Sequence, residues 1–190
     1  MKQEVASKIL TDEELVREIV RTKDAMLFGE LYDRFSKKIY NKCLGFAKSQ
    51  AEAEDLTQDI FLMLYIKLAS FQGKSKFSSW VYSFTYNFCV NYVNRDRGRK
   101  ISNESDSISN EGKQIANEVG DEEVLRLRSY KLKKALEYIS AEDKKILLLK
   151  YQDGVSINEL TKLLALSESA IKMRLKRAKA RLMEVYKKIP

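Results

Sequence analysis

Proline and glycine are scarce in this chain, and this scarcity limits the possible folds more than any other property of the sequence. The single proline among 190 residues is the last residue, and only seven residues are glycine. Because these two residues interrupt helices most strongly, their rarity favours long helices. No stretch shows the sustained alternation of apolar and polar residues that is typical of a β-strand. The sequence therefore predicts an all-α fold.

Helix start signals divide the chain into segments. Thr11 and Ser156 each precede a glutamate by three residues, which is the capping-box pattern, and Ser140 and Ser167 stand before further helical patterns. The first predicted helix begins after Thr11, and the others span about 24–47, 50–68, 78–97, 124–139, 141–153, 157–164 and 168–188. On the inner face of the second helix we expect Phe28, Leu31, Phe35, Ile39 and Leu44.

The net charge of +8 is the sum of three regions that differ in sign. Residues 1–102 carry 17 basic and 13 acidic side chains, residues 103–124 carry one and seven, and residues 125–190 carry 17 and seven. The middle region is rich in Ser, Asn and Glu and holds few large apolar residues, so it cannot bury enough surface to offset the entropy of ordering. We expect two small helical domains, 1–100 and 125–190, joined by a flexible acidic linker at 101–124. The alternative is a polar surface loop within one domain.

The composition also excludes several classes of function. With no histidine, the chain can form neither a Ser-His-Asp triad nor a histidine-ligated zinc site. Cys43 and Cys89 are too far apart for a CxxC pair and are expected to be small core residues in a reducing compartment. No apolar run reaches the length of a membrane span, and the N-terminus is too charged for a signal peptide. We expect a cytoplasmic protein that is not an enzyme and that has no metal, cofactor or membrane insertion.

The last two predicted helices form a helix-turn-helix pattern, in which a short capped helix and a tight turn precede a basic helix. One stripe of the last helix is apolar and should pack inward: Ile171, Leu175, Ala178, Leu182 and Val185. The rest of its surface carries six cations: Lys172, Arg174, Lys176, Arg177, Lys179 and Arg181. Such cations neutralise DNA phosphates while the N-terminal residues of the helix reach base edges. The alternative is the ordinary solvated face of an amphipathic helix.

Residues 71–92 hold eight of the nineteen aromatic side chains of the chain. Most of them are expected to be core. Between two aromatic faces of the predicted helix lies a narrow strip with one Trp and three Asn: Trp80, Ser83, Asn87, Asn91 and Asn94. If this strip is exposed, it suits stacking on unpaired bases and hydrogen bonding to their edges. The cations Arg95, Arg97, Arg99 and Lys100 extend it with charges that can bind phosphate.

Residues 49–66 contain four carboxylates and no cation. Asp55, Gln58 and Asp59 share one face of the predicted helix, while Leu56, Phe61, Leu64 and Leu68 can serve the core. Two carboxylates without a third ligand make a weak metal site. A surface that docks a basic protein partner explains this pattern more simply.

In this order, the motifs of the chain resemble those of bacterial sigma factors of the extracytoplasmic-function (ECF) group, the smallest members of the sigma-70 family. The resemblance covers almost the full length and is carried by four matching segments: Leu31–Ser49, AEDLTQDIF at Ala53–Phe61, KFSSWVYSFTYN at Lys76–Asn87, and the helix-turn-helix at Ser156–Arg181. It implies a sigma-2 four-helix domain at 1–100 and a sigma-4 helix-turn-helix domain at 125–190. It also implies binding to core RNA polymerase, promoter recognition and opening of the −10 region, without catalysis.

The resemblance assigns expected roles to individual residues. Docking on the clamp helices of the largest polymerase subunit would fall to Asp55, Gln58 and Asp59, and the flap of the second-largest subunit is a further expected contact. The −10 DNA would meet Phe71, Gln72, Lys74, Lys76, Trp80, Ser83, Asn87, Asn91 and Arg95, with the loop 71–76 capturing a flipped base and Trp80 holding the strands apart. The −35 DNA would meet Ser167, Ser169, Lys172, Met173, Lys176 and Arg177. An anti-sigma factor or another recruiting partner is also expected.

The start of the last helix departs from the family pattern. Family members commonly read Thr-Val-Lys-Ser-Arg there, whereas this chain reads Ala170-Ile171-Lys172-Met173-Arg174. Because two hydroxyl side chains are replaced, we expect weak polar readout of −35 bases and a grip mainly on the DNA backbone. Two other interpretations stay open at this point. A stand-alone helix-turn-helix regulator explains only residues 125–190, and a helical adaptor explains neither basic region.

Overall fold

The structure, a computed structural model, describes residues 10–102 and 121–189, and the side chains of residues 10–96 and 128–189. All regular elements in these ranges are helical: α1 (Asp12–Thr22), α2 (Ala25–Leu44), α3 (Gln50–Lys67), α4 (Phe77–Ser102), α5 (Asp121–Tyr138), α6 (Ala141–Leu147), α7 (Ile157–Leu164) and α8 (Glu168–Lys188). A 3₁₀ turn, Leu68–Ser70, follows α3, and a π-helical turn, Leu148–Gln152, follows α6. The all-α prediction is confirmed. Within the described ranges, no helix has the length and apolar content needed to cross a membrane.

Most helix boundaries follow the predicted caps. Thr11 and Ser156 both form complete capping boxes, and Ser140 and Ser167 cap α6 and α8. Helix α4 continues to Ser102 and α5 begins at Asp121, so helix occupies both ends of the segment 101–124 that was expected to be linker. Extending an existing helix costs far less than starting one, and no proline stops it here. Residues 103–120, on which the prediction of flexibility mainly rests, lie outside the described residues.

The first core is formed by α1 to α4, which we call the N-terminal module (residues 10–102). The predicted core residues of α3 are all buried, as are Leu31, Phe35 and Ile39 of α2. Leu44 is 39% exposed, contrary to expectation, and Lys42 is only 6% exposed in its place. The reason is helical geometry, since steps of four, four and three residues from Leu31 lead to Lys42, whereas Leu44 falls on the opposite face. Cys43 and Cys89 are fully buried core residues, as expected.

The second core is formed by α5 to α8, which we call the C-terminal module (residues 121–189). The predicted inward stripe of α8 is confirmed: Ile171, Leu175 and Ala178 are buried, and Leu182 and Val185 pack against the same core. The turn between α7 and α8 is made by Ala165, which adopts a left-handed conformation with φ 51°. The turn therefore carries the backbone strain that a non-glycine residue has in this region.

Helix α4 joins the two cores. Tyr86 of α4 is fully buried, and it packs in the core of the C-terminal module rather than in that of its own module. Tyr82 and Phe46 contact both cores. Helices α6 and α7 and the π-helical turn all pack on α4. The two modules are therefore docked on each other along the helix that carries the predicted DNA-binding strip.

Candidate functional site

The predicted docking residues lie on the outer face of α3. Asp55, Gln58 and Asp59 are exposed, while Leu56, Phe61 and Leu64 on the opposite side are buried. One turn further along, the exposed face becomes apolar, with Leu62 67% and Ile66 66% exposed. Helical spacing places Asp55, Asp59, Leu62 and Ile66 along one line. An acidic and apolar surface of this kind suits a protein partner rather than nucleic acid.

The loop 71–76 leads from the 3₁₀ turn into α4. Gln72, Lys74 and Lys76 are exposed, Phe71 is half-buried, and Gly73 takes a left-handed φ of 66°. Trp80 is also half-buried, and it contacts three rings, with centroid distances of 5.5 Å to Phe71, 5.8 Å to Phe77 and 5.6 Å to Phe84. Trp80 is therefore packed into an aromatic cluster at the edge of the first core.

The rest of the predicted strip is exposed as the sequence suggested, except for Ser83, and side chains of α6 contact part of it. Ser83 is only 3% exposed. Lys145 Nζ donates to Asn87 Oδ1 at 2.5 Å, and Asn94 Nδ2 donates to Glu142 Oε1 at 2.9 Å. Asn87, Asn91, Asn94 and Arg95 are all exposed. In this arrangement, the C-terminal module hydrogen-bonds to Asn87 and Asn94 of the strip and leaves Asn91 exposed.

Glu159 of α7 connects the helix-turn-helix to the start of α4. Ser79 Oγ donates to Glu159 Oε1 at 3.0 Å, and the backbone amide of Lys76 donates to the same oxygen at 3.4 Å. The other carboxylate oxygen of Glu159 closes the capping box with Ser156. Burial alone would raise the pKa of Glu159, but the hydrogen bonds from Ser156, Ser79 and the Lys76 amide outweigh it and lower the pKa.

A buried ion pair lies at the centre of the interface between the modules. Lys42 Nζ pairs with Asp153 Oδ1, and both side chains are almost fully buried. The same ammonium group lies 4.0 Å from the centroid of the Tyr82 ring and 3.3 Å from the Tyr86 hydroxyl oxygen. Burial lowers the pKa of Lys42, although Asp153 opposes this effect, and burial next to Asp153 raises the pKa of Tyr86. Docking of the two modules therefore removes the charges of both Lys42 and Asp153 from water.

A second lysine makes a further contact between the modules. Lys144 of α6 donates to the carbonyl oxygen of Gly45, at the end of α2, and lies 4.9 Å from the centroid of the Phe46 ring. Burial lowers the pKa of both Lys144 and the neighbouring Lys145. The interface therefore combines apolar packing with three lysines that have lost much of their hydration.

The predicted −35 surface lies on the N-terminal half of α8, away from these contacts. All six of its residues are exposed: Ser167, Ser169, Lys172, Met173, Lys176 and Arg177. Ser167 Oγ accepts from the Ala170 amide and caps the helix, and Lys172 pairs with Glu168 at 2.5 Å. The exposed cations can therefore approach a DNA backbone without rearrangement of the module.

Arg181, the last of the six cations on α8, is engaged within the module. Its Nε and Nη2 donate to the two carboxylate oxygens of Asp143 at 2.5 and 2.7 Å. This bidentate bond is the largest of the effects that lower the pKa of Asp143. Arg181 therefore ties α8 to α6, a role that the charge pattern alone did not suggest.

Sequence reasoning missed the residues that hold the modules together. Lys42 could have been found, since a helical wheel places it with Leu31, Phe35 and Ile39 on the buried face of α2. Asp153 and Glu142 gave no comparable signal, because their partners are 111 and 48 residues away and are reached only in the docked arrangement.

Comparison with known proteins identifies the two modules separately. Residues 31–99 match the family described as Sigma-70 region 2, and residues 129–182 match the family described as Sigma-70, region 4. The first match covers α2 to α4 with the acidic face and the strip, and the second covers the helix-turn-helix. Together, the two matches span more than half of the chain.

Individual relatives agree with this division. The chain is 25% identical over 167 residues to the ECF RNA polymerase sigma factor SigW of Bacillus subtilis, covering 84% of this chain and 89% of that protein. It is 27% identical over 180 residues to the ECF RNA polymerase sigma-E factor of Escherichia coli K12, covering 91% and 93%. The fold is similar to that of the sigma factor RpoE solved in complex with the anti-sigma factor NepR from Bartonella quintana, with a TM-score of 0.57, 23% identity and coverage of 84% and 96%.

The two regions occur in the order that the sequence motifs indicated, and relatives that cover nearly the whole chain carry the same group name. The chain belongs to the sigma-70 family, in its extracytoplasmic-function group.

Proposed function

We propose that this chain binds core RNA polymerase, directs it to promoters, opens the −10 region and so initiates transcription. In this proposal, residues 1–100 act as the sigma-2 domain, 101–124 as the linker and 125–190 as the sigma-4 domain. The chain acts in the cytoplasm as a subunit of polymerase and performs no chemistry itself. The observation that carries the proposal is the match of both sigma-70 regions, in order, to the two helical modules.

Polymerase docking is assigned to the exposed face of α3. Asp55, Gln58 and Asp59 point away from the core and have no cation on their own helix face, so they are available to a basic partner. The exposed Leu62 supplies apolar area next to them. On the partner side, the clamp helices of the largest subunit are the proposed target, with the flap of the second-largest subunit as the target of the C-terminal module.

Recognition of the −10 DNA is assigned to the loop 71–76 and to α4. The loop presents an amide and two lysines next to the aromatic cluster, a combination that suits an extruded base and its phosphate. Asn87 and Asn91 would hydrogen-bond to unpaired bases, with Ser83 beside them and Arg95 on the backbone. Trp80 would hold the strands apart from its place in the cluster.

Binding near the −35 element is assigned to the exposed first half of α8. Lys172, Lys176 and Arg177 supply phosphate contacts, and Ser167 and Ser169 supply hydroxyl groups at the helix start. Ala170 and Met173 offer apolar contact where hydroxyls are common in the family. We therefore propose that α8 holds the backbone more than it reads bases, and that another signal or partner helps to choose the site.

A protein regulator is also proposed. The similar sigma factor RpoE of Bartonella quintana was solved in complex with an anti-sigma factor. A partner of that kind, or another recruiting protein, would control when this chain reaches polymerase. The alternative of a stand-alone helix-turn-helix regulator is not favoured, because it leaves the region-2 match at 31–99 without a role.

The decisive experiment is single-round transcription with purified core polymerase and a randomised promoter library. We expect transcripts that depend on the added chain and share a −10 motif, with a weak −35 motif. Duplex DNA binding without polymerase, together with no transcripts from any library member, would contradict the proposal. A sharp −35 motif would contradict only the assignment of backbone contacts to α8.

A further inference from the structure

The first turn of α4 cannot be capped by the residue before it. Helix α4 begins at Phe77, directly after the loop 71–76, the proposed site of base capture. The first amides of a helix have no partner within it, and a Ser, Thr, Asp or Asn before the helix usually accepts from one of them. Here that position is held by Lys76, whose carbonyl accepts from the Trp80 amide at 3.1 Å but whose side chain can only donate. The start of α4, and with it the end of the loop, therefore depends on acceptors from other parts of the chain.

Glu13 of α1 supplies one of these acceptors. Its Oε1 accepts from the Phe77 amide, 64 positions further along the chain, at 2.8 Å. The carboxylates on either side of it have other partners, since Glu14 closes the capping box of α1 itself and Asp12 pairs with Arg34 of α2 at 2.7 Å. Glu13 therefore serves the start of another helix rather than that of its own.

Glu13 and Glu159, which both accept from amides at the start of α4, differ in the module to which they belong. Glu159 accepts from the Lys76 amide at 3.4 Å and lies in the C-terminal module, so its bond requires the modules to be docked. Glu13 lies in the same module as the loop, where the buried apolar face of α1 holds it in place. The cap from Glu13 therefore depends only on contacts within the N-terminal module.

Helix α1 contacts both ends of the loop 71–76. It packs on the 3₁₀ turn Leu68–Ser70, after which the loop starts, and on α4, where the loop ends. The rings of Phe71 and Phe77 lie edge to face at 5.3 Å, and the Trp80 indole contacts both. The amide that Glu13 holds therefore belongs to a central residue of the aromatic cluster next to the loop.

We propose that Glu13 is a positioning residue for recognition of the −10 element: from α1, it caps α4 at Phe77 and so holds the loop 71–76 in the shape that receives an extruded base. The inference rests on the proposed role of the loop in base capture. It gives a part in promoter recognition to α1, which lies before the residues 31–99 that match region 2. In this assignment Glu13 does not touch DNA and acts only through the loop.

Two variants separate the hydrogen bond of Glu13 from its charge. Glu13→Asp keeps the charge but shortens the side chain by one carbon–carbon bond, about 1.5 Å, which moves the carboxylate out of hydrogen-bonding distance of the Phe77 amide. Glu13→Gln loses the charge but keeps an acceptor oxygen at the same reach. The matched control Glu18→Gln removes the same charge from α1, where the partner of the carboxylate is Arg21 of the same helix.

Hydrogen–deuterium exchange of the full-length chain tests the cap directly. Exchange of the peptide covering residues 71–79 should be about tenfold faster in Glu13→Asp than in the wild type, because a hydrogen bond to a charged group is lost there. Glu13→Gln and Glu18→Gln should stay within about threefold of the wild type. Aspartate is favourable in the first turn of a helix, so α1 stays folded, and peptides from α3 should exchange equally in all variants.

Recognition is measured by single-round transcription with core polymerase and the randomised promoter library. The loop variant Gln72→Ala/Lys74→Ala identifies the captured position, as the position of the −10 motif at which base preference is lost. Glu13→Asp should reduce base preference about tenfold at this same position, while the rest of the −10 motif and the affinity for core polymerase stay unchanged. Added to the loop variant, Glu13→Asp should cause no further loss, since it acts through the loop.

Three outcomes would overturn the inference. Unchanged exchange of residues 71–79 in Glu13→Asp, or a larger effect in Glu13→Gln, would show that this hydrogen bond does not hold the loop. Full base preference in Glu13→Asp, at a position that the loop variant disturbs, would show that the cap has no part in recognition. A loop variant that disturbs no position of the −10 motif would instead refute the proposed role of the loop, and the inference with it, so the loop variant distinguishes the two failures.

Discussion

Trp80 joins the stability of the N-terminal module to the proposed opening of DNA. Its indole contacts three phenylalanine rings, of which Phe77 and Phe84 are stacked on it with interplanar angles of 30° and 19°. Each aromatic pair contributes about 0.5–1.5 kcal/mol beyond the area that it buries. Truncation of a fully buried tryptophan to alanine costs about 3–5 kcal/mol. Because Trp80 is half-buried, we expect Trp80→Ala to lower the free energy of unfolding by about 3 kcal/mol.

The matched control is Trp80→Phe, which keeps a ring in the cluster and should cost only about 1 kcal/mol. Urea unfolding followed by circular dichroism at 222 nm suits all three proteins, since Trp80 is the only tryptophan and fluorescence would be lost. A loss below about 1 kcal/mol for Trp80→Ala, with an unchanged denaturant slope, would refute the packing argument.

The functional half of this prediction is read at a temperature where both variants are folded. Permanganate footprinting should show impaired strand opening by Trp80→Ala, while its affinity for core polymerase stays close to that of the wild type. Normal permanganate reactivity in this variant would contradict a role in separating the strands. An equal loss of polymerase affinity would instead indicate that only the fold had been damaged.

Three further predictions follow from other parts of the chain. The double variant Asp55→Ala/Gln58→Ala should bind core polymerase about tenfold more weakly than the wild type, with an unchanged circular dichroism spectrum. The control Asp33→Ala on α2 should bind core polymerase as tightly as the wild type. Equal affinities of the double variant and the control would contradict docking on α3. Ala165→Gly should stabilise the C-terminal module by up to about 1 kcal/mol, because glycine relieves the left-handed φ, and a lower melting temperature would refute this reasoning. The Asp143–Arg181 bond lowers the pKa of Asp143, so its stabilisation is present above pH 3.8 and is lost as the pH falls through the lower pKa of the folded state. The melting temperatures of Asp143→Asn and the wild type should therefore differ most at neutral pH and converge in acid.

Several features of the molecule follow from neighbouring residues and could be predicted. The capping boxes at Thr11 and Ser156 each depend on a glutamate three residues later, and both form. The apolar stripe of α8 and the buried side of α3 follow from helical periodicity, and both pack as expected. The one error on α2 arose from assigning Leu44 rather than Lys42 to the inner face, although periodicity already favoured Lys42.

Other features depend on which surfaces meet in space. The strip on α4 has the composition of an exposed binding surface, but Ser83 is buried, and the exposed Asn87 and Asn94 hydrogen-bond to side chains of α6. The six cations of α8 look equivalent in the sequence, but Arg181 is held by Asp143 of α6. The residue composition of a surface indicates what it can bind, but it does not indicate which other parts of the chain already contact it.

The sequence by itself determined the helices, their caps, the two sigma-70 regions and the sides of each helix that become core. These properties depend on contacts within one or two turns, where spacing along the chain equals spacing in the fold. Only the tertiary structure decided that the modules dock, that Lys42 pairs with Asp153 and that Asn87 and Asn94 of the strip on α4 hydrogen-bond to α6. Those contacts join residues as far as 111 positions apart, and their formation depends on the shape and desolvation of two assembled surfaces rather than on any local pattern.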